Sequence, residues 1–563
     1  MRRHGYKLIV VLFLLQACSG TDKTEGFRVN IRIDATETMG EVNPIWRFFG
    51  ADEPNYAYME NGRKLLHDLG SLRPGRVYFR AHNLLNTGDG TPALKWGSTN
   101  VYTEDAQGDP VYDWKIADSI FDAYLENGVR PYVEIGFMPE ALSSRPDPYR
   151  HHWNPDLPYG EIFTGWAYPP DDYRKWEELV YRWVLHCVER YGREEVEQWY
   201  WQTWNEPNIP YWQGSREEFF RLHDYAIQGV LRALPSARVG GPDVAGTDEG
   251  NYGADYFTAF VEHCLEGKNH ATGGTGTQLD FVSFHAKGSP EYVDGHVRMG
   301  IWHQLAVIDQ LFRTIQGHPG IKDLPVVIGE SDPEGCAACQ GEHLGYRNGT
   351  MYASYTAASF VRKLDLALKY DIHLEGALTW AFEFEAQPYF AGFRALSTNG
   401  INKPVLNVFR MFSMMEGTRL QVQSSHEVPM DTIIGQSVRG KPDVSAYACM
   451  GDGKIFILAW HYHDDDLPGP PADLRISLEN LPDGSGEARL DVYLVDREHS
   501  NAYTTWQELG SPQDPGPEQY QMLEESGHLD RVVEKKKLRV RNGSATLELA
   551  LERQGVALLV VSL

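Results

Sequence analysis

The chain has 563 residues, of which 42% are hydrophobic, 23% charged and 12% aromatic. These values are typical of a soluble globular protein with two or three domains. Acidic residues outnumber basic ones by 78 to 52, which argues against a nucleic-acid partner because phosphate binding needs a field of lysine and arginine. The same figures exclude collagen-like, disordered and disulfide-framework proteins.

The first residues have the pattern of an export signal. Arg2, Arg3 and Lys7 precede an apolar run over Leu8–Leu15 that is too short to span a bilayer. The next residues, Leu-Gln-Ala-Cys ending at Cys18, resemble a bacterial lipoprotein signal in which Cys18 is lipidated. We therefore expect a signal peptide over residues 1–18 and a protein held by a lipid anchor in the bacterial cell envelope. Ordinary secretion is the alternative.

Five cysteines follow Cys18, an odd and sparse set that does not indicate a disulfide framework. Cys336 and Cys339 have the spacing of half a zinc site, but no second Cys/His pair has suitable spacing. We predict no metal here, and instead a local disulfide or two thiols that shape a loop.

Strand and helix patterns alternate between residues 45 and 417. Amphipathic stretches such as Trp114–Asn127, Asp171–Tyr191, Arg216–Leu234 and Tyr352–Tyr370 predict helices. Eight strand–helix units predict an α/β fold, a (β/α)₈ TIM barrel. A doubly wound sheet is the alternative, but it would normally show a glycine-rich first turn. The predicted strands are Phe48–Ala51, Arg76–Arg80, Arg130–Ile135, Gln198–Trp204, Ala237–Gly240, Asp280–Phe284, Leu324–Ile328 and Leu374–Trp380.

From about Thr418 the pattern changes to short alternating segments separated by turn clusters. This pattern predicts an accessory all-β sandwich domain over residues 418–563. The N-terminal segment, residues 19–44, contains a β-like run over Phe27–Ile33, and we expect it to join the β domain.

Two glutamates stand at predicted strand ends, where the active site of a barrel forms. Glu206 follows the fourth strand and Glu330 closes the seventh. A carboxylate at the end of an apolar strand is partly desolvated, which we expect to raise its pKa and suit it to donate a proton. Two facing carboxylates, one acid and one nucleophile, are the apparatus that breaks a glycosidic bond.

The sequence here resembles glycoside hydrolase family 39, a family of retaining barrel enzymes that includes β-xylosidases and α-L-iduronidases. The resemblance covers roughly residues 45–417, and its Trp-Asn-Glu-Pro-Asn motif around Glu206 marks the larger clan. It rests on the segments Arg80–Asn83, Pro131–Glu140, Trp201–Asn208, the strand ending at Glu330, Gly376–Phe382 and Asn402–Pro404.

The resemblance implies that Glu206 is the acid/base and Glu330 the nucleophile, with their carboxyl groups about 5–5.5 Å apart. It implies that Asn205 hydrogen-bonds the sugar 2-hydroxyl. No cofactor and no metal are needed, because two carboxylates and a water suffice.

The remaining candidate residues would bind the sugar that carries the scissile bond. His82 and His285 end the second and sixth strands, where the family places histidines, and Trp380 ends the eighth, where it places an aromatic platform. Each of these has a purely structural alternative. Lys287 stands where the family often has a tyrosine, so it would either meet a uronic carboxylate or offset nearby acids. The run after Glu330 also departs from the family pattern, which leaves the substrate open.

We therefore expect an exo-acting retaining glycosidase with β-xylosidase-like activity on oligo- or polysaccharide. Iduronidase-like action and an arabinose- or galactose-directed activity are alternatives. An inactive, lipid-anchored glycan-binding protein is the alternative from another class, although both glutamates, Asn205 and Trp380 weigh against it. The partners expected are a carbohydrate substrate and, through the anchor alone, a membrane. The sequence does not indicate an oligomeric state.

Overall fold

A computed structural model describes residues 26–151, 162–246, 252–380, 383–482 and 487–563. The predicted signal peptide and its Cys18 lie outside these residues. Within the described part of the chain, no helix has the length and apolar character needed to cross a membrane.

Eight parallel strands form a closed barrel, which confirms the predicted (β/α)₈ fold. Each strand pairs with the next one along the chain, and the eighth pairs with the first through Thr379 with Phe49 and Trp380 with Gly50. The eighth strand is interrupted at Leu378. In chain order the barrel strands are Phe48–Ala51, Val77–Ala81, Val129–Ile135, Tyr200–Thr203, Arg238–Val244, Phe281–His285, Val326–Glu330 and Leu374–Ala377 with Thr379–Trp380.

Helices surround the barrel, and their apolar faces pack against it. The helix Arg216–Ala233 begins with a capping box, in which Ser215 and Glu218 bond each other's backbone amides. The α-helices of this region are Glu60–Leu72, Lys115–Glu126, Tyr173–Tyr191, Arg193–Val196, Arg216–Ala233, Tyr252–Glu266, Ile301–Gln316, Thr350–Lys369 and Pro404–Met414, and the 3₁₀ helices are Pro54–Tyr58, Glu140–Leu142 and Glu342–Arg347.

Short hairpins extend the loops that follow several barrel strands. The four hairpins pair Tyr102–Glu104 with Pro110–Tyr112, Tyr149–His151 with Ile162–Thr164, Glu291–Val293 with His296–Arg298, and Ser397–Thr398 with Ile401–Asn402.

Aromatic side chains fill the barrel interior near the amino ends of the strands. Phe48 stacks on Tyr78 with ring centroids 5.0 Å apart, and Tyr132, Tyr200 and Phe281 complete this buried cluster. The packed layer closes one end of the barrel. Glu206 and Glu330 lie toward the other end, where the strands finish.

The second region is mainly β, and its nine strands are hydrogen-bonded into one mixed sheet rather than into the two facing sheets of the predicted all-β sandwich. Its first strand, Phe27–Glu41, comes from the N-terminal segment, and it pairs antiparallel with Thr418–Ser424 and parallel with Ala472–Glu479. The other strands are Asp443–Gly451, Lys454–Tyr462, Glu487–Val495, Asp530–Arg539, Ala545–Leu551 and Val556–Ser562, and the helices are Met430–Gln436, Ala502–Glu508 and Pro517–Ser526.

The β region and the barrel share a hydrophobic core. Side chains of the strand Lys454–Tyr462 alternate between the two sides, as the period of two in a strand requires. Ile455 and Ile457 pack inside the β region, whereas Phe456 and Leu458 belong to the core that continues into the barrel.

Candidate active site

The two glutamates face each other at the carboxyl ends of their strands. Glu330 is the last residue of the seventh strand, and Glu206 lies three residues beyond the fourth. Trp204 and Glu206 have φ values of 68° and 45°, a backbone conformation that costs energy and clusters at functional sites. Both glutamates are buried, and one carboxylate oxygen of each, together with a ring nitrogen of His285, lies within 4.8 Å of the others.

Lys287 bridges the two carboxylates. Its Nζ lies 2.5 Å from Glu330 Oε2 and 3.3 Å from Glu206 Oε1. These contacts match the second of the two roles expected for Lys287, in which its charge offsets those of nearby acids. Its side chain remains 19% exposed, more than either carboxylate.

The raised pKa expected for the strand-end glutamates is wrong. Burial alone would raise the pKa of Glu206, but the charges of Lys287 and His285 outweigh burial and lower it to about 2. The pKa of Glu330 is likewise lowered well below its ordinary value, because Lys287, His285 and His82 oppose the effect of burial. The expected rise followed from desolvation alone, whereas closure of the barrel also brings cations to the two carboxylates.

The two histidines predicted to line the site both contact the glutamates. His285 Nδ1 lies 2.8 Å from Glu206 Oε1 and 3.6 Å from Glu330 Oε1. His82 Nδ1 lies 2.5 Å from Glu134 Oε2, and its Nε2 lies 3.6 Å from Glu330 Oε1. Burial opposes protonation of His285, but the surrounding carboxylates raise its pKa to about 9.

A buried ionic layer supports these groups from below, and the sequence prediction assigned it no role. Arg80 is fully buried, and its Nη2 lies 2.8 Å from Glu134 and 3.0 Å from Asp243, while its Nη1 lies 3.6 Å from Glu330. All four of these charged residues lie within barrel strands, where a charge is too costly to bury without a partner. The sequence therefore indicated that each of these charges has a partner, but it did not indicate which residue the partner is.

Asn205 and Trp380 lie beside this layer. The amide oxygen of Asn205 accepts a hydrogen bond of 3.1 Å from Arg80, which turns the amide nitrogen away from the arginine. Trp380 is 1% exposed, and its ring lies 4.4 Å from that of His82. Its indole Nε1 donates to Asp52, a residue of the loop after the first strand that the sequence prediction missed.

The loop after Glu330 is stabilised by buried arginines and a disulfide. Cys336 and Cys339 are bonded, which agrees with the first of the two alternatives predicted for this pair. Arg347 donates to the carbonyl of Cys336 and pairs with Glu334. Arg394 donates to the backbone carbonyl of Trp380, so the same network also fixes the end of the eighth strand.

The group Glu206, His285 and Glu330 is the one set of possible metal ligands among the described residues. The ammonium of Lys287 already contacts both carboxylates. A metal ion at this place would have to displace or repel that charge, so the residues present do not favour one.

Comparison with known proteins identifies the family. The family model for glycosyl hydrolases family 39 matches residues 29–539. A β-xylosidase of Caldicellulosiruptor saccharolyticus is 24% identical over 516 residues, 89% of this chain and 92% of that protein. The α-L-iduronidase of Mus musculus is 22% identical over 531 residues, 88% of this chain and 75% of that protein.

The fold is also that of solved structures. A monomeric β-xylosidase from Caulobacter crescentus CB15 superposes with a TM-score of 0.73 at 21% identity, covering 95% of this chain and 99% of that one. At such identity the likeness shows the fold alone, whereas the family model spans most of the sequence. The chain therefore belongs to glycosyl hydrolases family 39 and is a glycoside hydrolase.

Proposed function

We propose that the chain is an exo-acting glycosidase that retains anomeric configuration, with Glu330 as nucleophile and Glu206 as acid/base. The observation that carries the proposal is the close approach of the two carboxylates, whose nearest oxygens lie within 4.8 Å. Inverting enzymes keep their carboxyl groups about 6.5–9.5 Å apart to admit a water, whereas retaining enzymes need about 5–5.5 Å.

The reaction would have two steps. Glu330 attacks the anomeric carbon, the bond to the leaving oxygen breaks, and Glu206 gives that oxygen its proton. Glu206 then takes a proton from a water that attacks the same carbon and releases Glu330. Because the oxygen of Asn205 is bound to Arg80, its amide nitrogen is the group that would donate to the sugar 2-hydroxyl.

The contacts of the two carboxylates differ, and the difference supports these roles. Glu330 lies close to four cationic groups, those of Lys287, His285, His82 and Arg80. Glu206 lies close to two of them, Lys287 and His285. A proton added to the pair therefore goes to Glu206, which leaves Glu330 ionised for attack.

For the substrate we propose a β-xyloside first, because the β-xylosidase of Caldicellulosiruptor saccharolyticus is matched over 92% of its own length, against 75% for the α-L-iduronidase of Mus musculus. A uronoside is the second candidate, and Lys287 is the observation that favours it. Its partly exposed ammonium contacts the glutamates. A carboxylate on the sugar could replace a glutamate as the ion-pair partner of this ammonium.

The test is turnover of a panel of aryl glycosides, including β-D-xylosides and α-L-iduronides, with NMR detection of the anomer released first. Retention is the expected result, and an inverted product would contradict the mechanism.

Glu330→Gln should abolish turnover. Glu206→Ala should keep turning over 2,4-dinitrophenyl glycosides, whose leaving group needs no proton, and azide should accelerate it by replacing water. A protein that binds oligosaccharides but releases no sugar would contradict the proposal.

We also propose that the protein is exported and lipid-anchored at Cys18. In the structure, the first strand starts at Phe27 within the β-region sheet, so an anchor at Cys18 would tether that region rather than the barrel. Cys18→Ala should move the protein from the membrane fraction to the soluble exported fraction. An unchanged membrane fraction would contradict the anchor.

A further inference from the structure

The loop after the first barrel strand places a second ion pair beside the glutamates. Asp52 directly follows the strand Phe48–Ala51 and is 4% exposed, and its Oδ2 is paired with the Nζ of Lys95. Lys95 is 3% exposed, and its backbone amide donates to Glu53, the next residue of the same loop. The pair is thus built from two loops that the strands bring together at the active end of the barrel.

The other oxygen of Asp52 is directed at groups already assigned to the sugar site. Trp380 Nε1 donates to Asp52 Oδ1 over 3.2 Å, and His82 Nε2 lies 3.4 Å from the same oxygen. That histidine nitrogen also lies 3.6 Å from Glu330 Oε1. The imidazole of His82 therefore contacts both Asp52 and the proposed nucleophile. The distance between Asp52 Oδ1 and Glu330 Oε1 cannot exceed the sum of these two contact distances.

The environment of Asp52 keeps it ionised. Burial would raise its pKa, but the charges of Lys95 and His82 outweigh burial and lower it. An ionised carboxylate only accepts hydrogen bonds, whereas sugar hydroxyls donate them. Its side chain keeps 6% of its surface exposed, between the 3% of Glu330 and the 8% of Glu206.

We propose that Asp52, held by Lys95, accepts a hydrogen bond from a hydroxyl group of the sugar bound at Glu330 and so helps to select that sugar. The inference rests on the proposed glycosidase function and adds a specificity-determining residue to it. The ligand it predicts is a sugar with a free hydroxyl on the edge that faces Asp52, and a carboxylate at that edge is excluded by charge repulsion.

The test compares Asp52→Asn with wild type on the best aryl glycoside of the panel and on its monodeoxy analogues, each lacking one hydroxyl. On the parent substrate, kcat/KM should fall about 10- to 100-fold, the range for a hydrogen bond to a charged group. On the one analogue that lacks the contacted hydroxyl, wild type and variant should differ by less than about 3-fold, since the bond is already absent. Glu53→Gln, a nearly isosteric change in the same loop, is the control and should leave the pattern across the analogues unchanged.

An equal loss on the parent and on every analogue would overturn the proposal, because Asp52 would then only hold Trp380 and His82 in place. Failure of the proposed function is detected separately, as absence of wild-type turnover. In that case the same comparison is made by calorimetric binding of the free monosaccharide and its deoxy analogues to wild type and Asp52→Asn. Binding that depends on one hydroxyl in wild type and on none in the variant supports the assignment, and any other pattern overturns it.

Discussion

Lys287 is the largest of the charges that keep both glutamates ionised in the free site. Its ammonium contacts Glu330 and Glu206 and helps to lower the pKa of each. Catalysis nevertheless requires a proton on Glu206 before the leaving group can depart. The side chain that stabilises the pair in its ionised form thus also limits the fraction of enzyme that is ready to act.

Replacing Lys287 with methionine should therefore shift the pH dependence of kcat/KM. Loss of the ammonium raises the pKa of both carboxyl groups, so both limbs of the profile should move to higher pH, by about 1 to 3 units. Activity is lost below the pKa of Glu330, which must be ionised, and above that of Glu206, which must be protonated. The two apparent pKa values belong to the coupled pair.

Lys287→Arg is the matched control for this experiment, because it keeps the charge and should keep both limbs near their wild-type positions. The profile is measured on a neutral aryl glycoside, so that no charge on the substrate titrates. A methionine variant whose limbs coincide with those of wild type would contradict the role given to Lys287.

The sequence predicted which residues meet at the site better than it predicted their electrostatics. Glu206, Glu330, His82 and His285 stand at strand ends, and the barrel brings these ends together. The pKa directions could not be obtained in the same way. They depend on Lys287 reaching both glutamates, a distance that depends on the path of a loop.

At the level of elements, strands and helices follow the sequence pattern closely. The helix predicted over Arg216–Leu234 is found over Arg216–Ala233, because periodicity and the Ser215 capping box mark the same start. The short hairpins, such as Glu291–Val293 with His296–Arg298, were not predicted. Three-residue strands carry too little alternation to stand out from a loop.

The contact between the first and eighth strands allows no side chain at Gly50. A β-carbon there would lie 2.6 Å from the ring of Trp380 and 2.7 Å from the carbonyl oxygen of Arg80. Gly50→Ala should therefore displace Trp380, lower kcat/KM at least about 10-fold and lower the free energy of unfolding by about 1–3 kcal/mol. Gly435→Ala, which has nothing within 4 Å, should be neutral in both assays. A fully active Gly50→Ala would contradict the close approach.

The helix Arg216–Ala233 contacts the fourth strand through a buried histidine. His223 is fully buried and lies 3.1 Å from Thr203 Oγ1, and burial lowers its pKa to about 3. In the unfolded chain a histidine has a pKa near 6.5. Between these values the unfolded state binds more protons, so this residue's contribution to stability is lost as pH falls from about 6.5 towards 3.

His223→Gln should remove that titration, so its unfolding free energy should fall less steeply on acidification, by up to about 1.4 kcal/mol per pH unit. The measurement is urea unfolding at a series of pH values between these limits. Equal slopes for His223→Gln and wild type would contradict burial of a neutral imidazole.

For the whole molecule, one arginine of the helix Thr350–Lys369 contributes a buried ion pair to the junction of the barrel with the β region. Arg362 is 3% exposed, and its guanidinium donates 2.8 Å hydrogen bonds to Glu427 and to Asp443, both of the β region. Asp443 also accepts from the indole of Trp460, a residue of the shared core. Both regions could be predicted from the sequence. The ion pair of Arg362 with Asp443 could not, because its members are 81 residues apart.

Removing the charge of Arg362 should destabilise the junction, because Asp443 is 1% exposed and would keep a buried charge without its cation. We expect Arg362→Met to lower the free energy of unfolding by about 3–5 kcal/mol, the cost of breaking a buried pair from one side. The double variant Arg362→Met with Asp443→Asn should recover part of this loss, since no unpaired charge then remains. Urea unfolding followed by tryptophan fluorescence measures both variants. A double variant no more stable than the single one would contradict this account, because the two variants differ only in the buried charge of Asp443.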